Sequence, residues 1–319
     1  MQTRNLGPFT TSAIGYGAMA LVDGMYGHSD DEHALTTLQH AVDAGATLID
    51  TADAYGDGAN ERLVGRALAG RGAQIATKWG IVFAGGRPIQ HAHAQEIRID
   101  ARPERARAAL DASLQRLGVD AIDLWYLHFA DPGVPIEETV GAMGELVGEG
   151  KVRHLGVCNV SAEQVLAAHQ AHPLAAVQAE YSLWTRDPER ELLPVTAELG
   201  IGFVPWSPLG AGFFAGSVKD TEHDFRANHP RFSRENLEAN RDRYAPLRGL
   251  AQELDITPAQ LALAWLLHQR EDIVPIPSTR TPSHLDENLA AADVTLDAAT
   301  LARIDELAPA GAAAGSALL

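Results

Sequence analysis

Residues 47–78 read "TLIDTADAYGDGANERLVGRALAGRGAQIATK", two short apolar runs on either side of one stretch with helical spacing. The flanking runs, "TLID" and "QIATK", are too short for helices and carry β-branched residues, so they read as strands. Residues 60–69 between them read as a helix. A strand, a helix and a second strand in that order form a unit whose two strands run parallel. Both strands also end on a charge, Asp50 and Lys78, which is unfavourable near a core unless the two are paired.

The same alternation runs along the chain. Strands are predicted at "AIGYGAM", "TLID", "QIATK", "DLWYLH", "VRHLGV", "AVQAE", "GFVPW" and "DIVPIP". Helices are predicted at 32–44, 60–69, 103–117, 136–149, 162–171, 189–199, 258–269 and 283–291. Several carry opening signals. Ser161 with Gln164 and Thr257 with Gln260 read as capping boxes, and Pro258 suits a first helical position. Asp187-Pro188-Glu189 and Thr281-Pro282 repeat that chemistry. Eight strand–helix units close into a single (β/α)8 TIM barrel, with the active site expected at the C-terminal face of the strands. One domain is expected over residues 1–319. Segments 79–102, 129–135 and 208–245 exceed ordinary strand-to-helix loops, and each follows a strand, so each is expected on that face. The tail from about residue 308, "APAGAAAGSALL", is expected to be loosely ordered.

With 25 Lys+Arg against 42 Asp+Glu, the formal net charge is −17. That balance argues against a nucleic-acid or anionic-membrane partner, since either needs a basic footprint. One cysteine, Cys158, permits no internal disulfide and fits a reducing cytoplasm. The N-terminus shows no apolar signal-peptide core and no run is long enough to span a membrane, so a cytoplasmic location is expected. His91 and His93, in "HAH", have no metal-ligand spacing around them and read as a solvated loop; no metal is expected.

The carboxyl ends of barrel strands are the default places for catalysis. Here they bring Asp50, Lys78, His128, Asn159, Gln178, Trp206 and the segment "PIPSTR". Neighbouring strands lie about 5 Å apart, so Asp50 and Lys78 can meet. A plain internal ion pair would account for those two alone. Tyr55 adds chemistry: it sits in the glycine-flanked turn after the second strand, within reach of Lys78, whose ammonium would favour the phenolate. Such a tyrosine can donate a proton to a developing alkoxide. His128 would hydrogen-bond the substrate oxygen and orient it. Thr281 opens a helix whose first amides suit a phosphate, with His284, Glu287 and Asn288 on one face. Met25, Tyr26, Trp79 and Phe129 follow strands and could wall an apolar substrate pocket, or simply pack.

The motifs "DTADAYG", "TKWG", "LGVDAIDLWYLH", "EGKVRHLGVCN", "VQAEYSLW", "WSPLGAG" and "PIPSTRTPSHLDEN" occur in this order over roughly residues 4–291. With them the chain resembles the aldo-keto reductase superfamily. The resemblance implies a barrel, a nicotinamide cofactor held without a Rossmann fold, and a tetrad of Asp50, Tyr55, Lys78 and His128. It implies reduction of an aldehyde or ketone by hydride from NADPH, with Tyr55 as the acid. It also places Asn159 and Gln178 on the nicotinamide carboxamide, Trp206 on the ring face, and Gly17 and Met19 beneath it. Ser207, Leu209 and Gly212 fall along the pyrophosphate. Ser278, Thr279, Arg280, His284, Glu287 and Asn288 fall around the adenosine and its 2′-phosphate, with Arg280 favouring NADPH over NADH. Three positions depart from the family pattern: Cys158 stands for a common serine, Ser278 for a glycine and His284 for an arginine. Cys158 also reads as an inert core residue. The implied partner is a small-molecule carbonyl substrate. Two other readings stay open, a Lys78 Schiff-base lyase and a regulatory subunit that senses nucleotide redox state.

Overall fold

In the computed structural model, residues 1–89, 97–216, 218, 221 and 224–317 are described. His91 and His93 lie outside them. The chain opens with an antiparallel hairpin, β1 (Thr3–Leu6) and β2 (Phe9–Ser12), before β3 (Tyr16–Gly17), β4 (Leu48–Asp50) and β5 (Gln74–Trp79). A small antiparallel sheet of β6 (Ile81–Val82), β7 (Arg87–Ile89) and β8 (Ile97–Ile99) follows. Then come β9 (Ile122–Leu127), β10 (Val152–Cys158), β11 (Leu174–Glu180) and β12 (Gly202–Trp206). Strands β12, β11, β10, β9, β5, β4 and β3 pair side by side in that order, all parallel.

Residues 272–277 close the ring into a (β/α)8 barrel. Val274 and Ile276 donate to the carbonyls of Phe203 and Pro205 on β12, at 2.9 and 3.2 Å. On the other side Gly15 and Gly17 donate to the carbonyls of Pro275 and Pro277, at 3.0 and 3.1 Å. Pro275 and Pro277 have no N–H to return, so this strand makes a one-way ladder with β3.

The helices are α1 (Asp31–Asp43), α2 (Ala59–Leu68), α3 (Pro103–Leu117), α4 (Ile136–Gly148), α5 (Ala162–Ala171), α6 (Leu192–Glu198), α7 (Arg234–Glu253), α8 (Pro258–Gln269), α9 (Pro282–Ala290) and α10 (Ala298–Leu307). Both predicted capping boxes are present, Ser161 with Gln164 and Thr257 with Gln260. The stretch expected as one helix over 189–199 divides into a 3₁₀ turn, Asp187–Glu189, and α6. Helices α7 and α10 were not anticipated. The polar run "RENLEANRDRYAPLRGLAQE" conceals α7 because Pro246 sits inside it, yet Asn240, Tyr244, Leu247, Leu250 and Ala251 give it a buried face. The tail has anchors of its own: Asn240 exchanges hydrogen bonds with the backbone of Ala314, and Arg231 donates to the carbonyl of Gly315.

Two apolar layers result. The larger lies between sheet and helices; the smaller fills the barrel with Leu48, Ala76, Leu124, Tyr126, Ala176, Val204, Val274 and Ile276. Leu6 and Phe9 of the N-terminal hairpin belong to this inner layer and stopper the bottom of the barrel. Gly156 is required here, because a Cβ on it would meet the Tyr126 ring at 2.4 Å.

Candidate active site

Strand alternation carries the inner layer directly into the site. Two residues beyond Leu48, Ala76, Tyr126, Ala176 and Val204 stand Asp50, Lys78, His128, Gln178 and Trp206. Lys78 Nζ donates to Asp50 Oδ1 at 2.5 Å and to the Thr51 carbonyl at 2.8 Å, and lies 3.5 Å from the Tyr55 hydroxyl. Gln178 Nε2 donates to Asp50 Oδ2 at 2.9 Å. Tyr55 and His128 meet edge to face, with ring centroids 6.1 Å apart. All four residues expected as a tetrad are thus brought together.

Burial and charge set their protonation. For Lys78 burial is the largest single influence and pulls downward, but Asp50, helped by Tyr55 and Cys158, outweighs it; the net shift is upward and the ammonium is kept. For Tyr55 burial raises the pKa more than Lys78 lowers it, so the net direction is upward. The expectation that Lys78 leaves this tyrosine with a depressed pKa is corrected in its net sign, although the pull of Lys78 is in the expected direction. Burial first, and then the charge of Lys78, holds His128 well below the usual imidazole range, so it is neutral at pH 7. Its Nδ1 is buried without a hydrogen-bond partner among the described residues.

Around this group the barrel mouth is built from short polar contacts. Asn159, at φ 56°, takes the left-handed conformation that asparagine tolerates. Its Oδ1 accepts from Trp206 Nε1 at 3.0 Å and its Nδ2 donates to the His128 carbonyl at 3.2 Å. Cys158 is buried, its thiol directed at Gln178 Oε1 and its pKa pushed up by burial. Ser207 and Gly212 have φ of 52° and 93°, and Ser207 Oγ accepts from the amide of Ala211 at 3.1 Å, which folds this segment into tight turns. Leu209 is buried beside it.

The segment 278–288 is tied to the barrel mouth and to α8 by contacts of its own. Ser278 Oγ donates to the Gly17 carbonyl at 2.5 Å, and the Thr279 carbonyl accepts from Tyr16. Arg280 donates to the carbonyls of Tyr26, at 2.8 Å, and His28. Thr281 stands at the N-cap of α9 without a side-chain bond to the first amides. His284 is exposed and Asn288 is buried, while Glu287 accepts from Thr257 Oγ1 at 2.7 Å and, through its carbonyl, from Gln260 Nε2 at 3.2 Å, which ties α9 to α8.

Of the residues expected to wall a pocket, Trp79 is misplaced. It is fully buried, stacked on Trp125 and donating to the Met143 sulfur, so it packs between sheet and α4. Since Lys78 points inward, its strand neighbour must point out. Phe129 stacks on His128 with centroids 5.3 Å apart. Met25 is half-buried, and Tyr26 lies under the Arg226 guanidinium, 5.2 Å from ring centroid to Cζ. Sequence reasoning missed a set of buried charges at this mouth. Arg226 pairs with Asp224 and donates to the Ala211 carbonyl at 3.0 Å. Glu180 accepts from Thr185 Oγ1 at 2.9 Å, with Arg231 3.8 Å away. Glu180 could have been found, because it lies two residues past Gln178 on the same strand.

A family model described as "Aldo/keto reductase family" matches residues 13–309. The chain belongs to this family. A probable aldo-keto reductase 1 from Glycine max is 44% identical over 314 residues, covering 96% of this chain and 88% of that one. Among solved structures, a glycerol dehydrogenase from Gluconobacter oxydans superposes with a TM-score of 0.84 at 29% identity, covering 96% of this chain and 94% of that one. An aldo/keto reductase from Klebsiella pneumoniae, in complex with NADP and acetate, superposes with a TM-score of 0.72 at 27% identity, covering 96% and 94%. As in those family members, the chain is a barrel; among its described residues no helix is long and apolar enough to cross a membrane.

Proposed function

We propose that this aldo/keto reductase family member reduces aldehyde or ketone carbonyls to alcohols with NADPH. The observation that carries the reading is Lys78, held as an ammonium between Asp50 and the hydroxyl of Tyr55 at the mouth of the barrel. Its residues fit a dinucleotide phosphate. Asn159 and Gln178 supply donors and acceptors for a carboxamide, and Trp206 offers a half-buried ring face. The turns of Ser207–Gly212 bring backbone close to a pyrophosphate. The uncapped start of α9, with Arg280 and His284 beside it, suits the 2′-phosphate. The Klebsiella pneumoniae relative in complex with NADP supports the same cofactor.

When bound, the reduced cofactor supplies the hydride. The chain supplies the proton and the alignment. Burial keeps Tyr55 protonated near neutral pH, so a donor is always ready for the oxygen that gains charge. Lys78 offsets the phenolate that Tyr55 leaves behind, and Asp50 fixes Lys78. A neutral His128 can donate a hydrogen bond to the substrate oxygen without a competing positive charge. A Schiff-base lyase is disfavoured, because an ammonium gripped by Asp50 has no lone pair to attack with.

Titration with NADPH and, separately, NADH, followed by tryptophan quenching, tests the reading. Tight NADPH binding, weaker NADH binding and turnover of small aldehydes are expected. No binding of either nucleotide would refute it, and binding without turnover would mark a redox-sensing subunit instead.

A further inference from the structure

The first turn of α2 is not built like an ordinary helix start. Its N-cap, Gly58, sits at φ 77° with no side-chain cap, and a Cβ there would meet Arg116 Cδ at 2.5 Å. Glu61 occupies the third helical position, from which a glutamate usually turns back to the N-cap amide. Here it is fully buried and turns inward, accepting from Thr77 Oγ1 at 2.7 Å and from Arg116 Nε at 2.5 Å. Asn60 is buried beside it. Its Oδ1 accepts from Thr51 Oγ1 at 2.7 Å, its Nδ2 donates to the Ala18 carbonyl at 3.1 Å, and its backbone amide donates to the Tyr55 carbonyl at 3.2 Å.

Thr51 follows Asp50, and Thr77 precedes Lys78. One helical turn therefore grips the residues next to Asp50 and Lys78 and the backbone of Tyr55 itself. A buried ion pair and a buried amide are weak contributors to stability, since well-packed apolar groups serve as well or better. What these two side chains add is geometry.

We propose that Asn60 and Glu61 are positioning residues that fix the separation between Tyr55 and Lys78. The inference rests on Tyr55 being the proton donor. Tyr55 and Lys78 stand 3.5 Å apart, at the outer edge of hydrogen bonding, so a small slip of either strand end uncouples them. A misplacement of about 1 Å at a reacting group can lower a rate on the order of 10²-fold.

Thr51→Val and Thr77→Val remove the hydroxyls that bind Asn60 and Glu61 while keeping side-chain shape; Thr51→Ser and Thr77→Ser restore them. The valine variants should lose about tenfold or more in kcat, with KM and the NADPH Kd held within about twofold, and the serine variants should recover most of the rate. Ionisation of Tyr55, read as the phenolate ultraviolet absorbance that Tyr55→Phe abolishes, should move up by about half a pH unit or more in the valine variants as the pull of Lys78 weakens. That readout needs neither cofactor nor turnover. Valine variants that keep the parental kcat and Tyr55 ionisation, even with a lowered melting temperature, would show a merely structural turn and overturn the proposal. If the parent neither binds NADPH nor reduces carbonyls, the reductase reading fails on its own, and the ionisation of Tyr55 still decides the positioning.

Discussion

Gln178 and Lys78 divide Asp50 between them: the amide donates to Oδ2 at 2.9 Å and the ammonium to Oδ1 at 2.5 Å. A buried carboxylate is costly unless its oxygens have donors. Gln178→Leu removes one donor and should destabilise the fold by about 1–3 kcal/mol, read as the midpoint of urea unfolding. An unchanged midpoint would mean that Asp50 finds another donor.

Tyr55→Phe removes the hydroxyl and keeps the ring against His128. It should lower kcat by about 10²–10⁴-fold, as for other positioned proton donors, while NADPH still quenches the tryptophans. Near-parental turnover with cofactor bound would take the proton-donor role from Tyr55.

Asp53 gives a pH signature. Burial, and then Glu61, pushes its carboxyl up to about 7 against the pull of Arg116, and its Oδ1 lacks a hydrogen-bond partner among the described residues. In the unfolded chain it titrates near its ordinary value of about 3.9. Between those values the folded protein holds a proton that the unfolded chain has released. Stability therefore falls as pH rises through this window and stays lower above it. Asp53→Asn should gain roughly 1–2 kcal/mol at about pH 8, allowing for the solvent that still reaches the group, and little at about pH 4. Equal gains at both pH values in urea unfolding would rule out a charge effect.

Arg226 joins the loop after β12 to the loop after β3, through the Ala211 carbonyl on one side and the Tyr26 ring on the other. Arg226→Met keeps the apolar stem and breaks both links. NADPH binding should weaken about tenfold, equivalent to about 1.4 kcal/mol, in a fluorescence titration. Unaltered affinity would mean that the two loops bind independently of this contact.

The sequence displays most of the barrel because its strands are short, apolar and punctuated by polar ends. "TLID" and "QIATK" could be placed, and with them the meeting of Asp50 and Lys78. The parity of β5 was legible too: an inward Lys78 sends Trp79 outward, and the same parity on β11 points to Glu180. Helix α7 was hidden by an interior proline and a polar face that the barrel wall covers only on one side. The grip of Arg280 on the Tyr26 and His28 carbonyls, and the arrival of Arg226 at the mouth, depend on how long loops fold back. No local periodicity encodes that.

The prolines at 275 and 277 have a mechanical consequence. On its β12 side the closing strand is laced both ways, Val274 and Ile276 donating to Phe203 and Pro205 and Phe203 donating to Asp272, whereas its backbone bonds with the β3 side run one way, from Gly15 and Gly17. The barrel thus has a seam with half its stitches, and it ends at the Gly17 carbonyl that Ser278 holds. That seam is also the floor of the cleft assigned to the cofactor. A ligand lying across it would act as the missing thread.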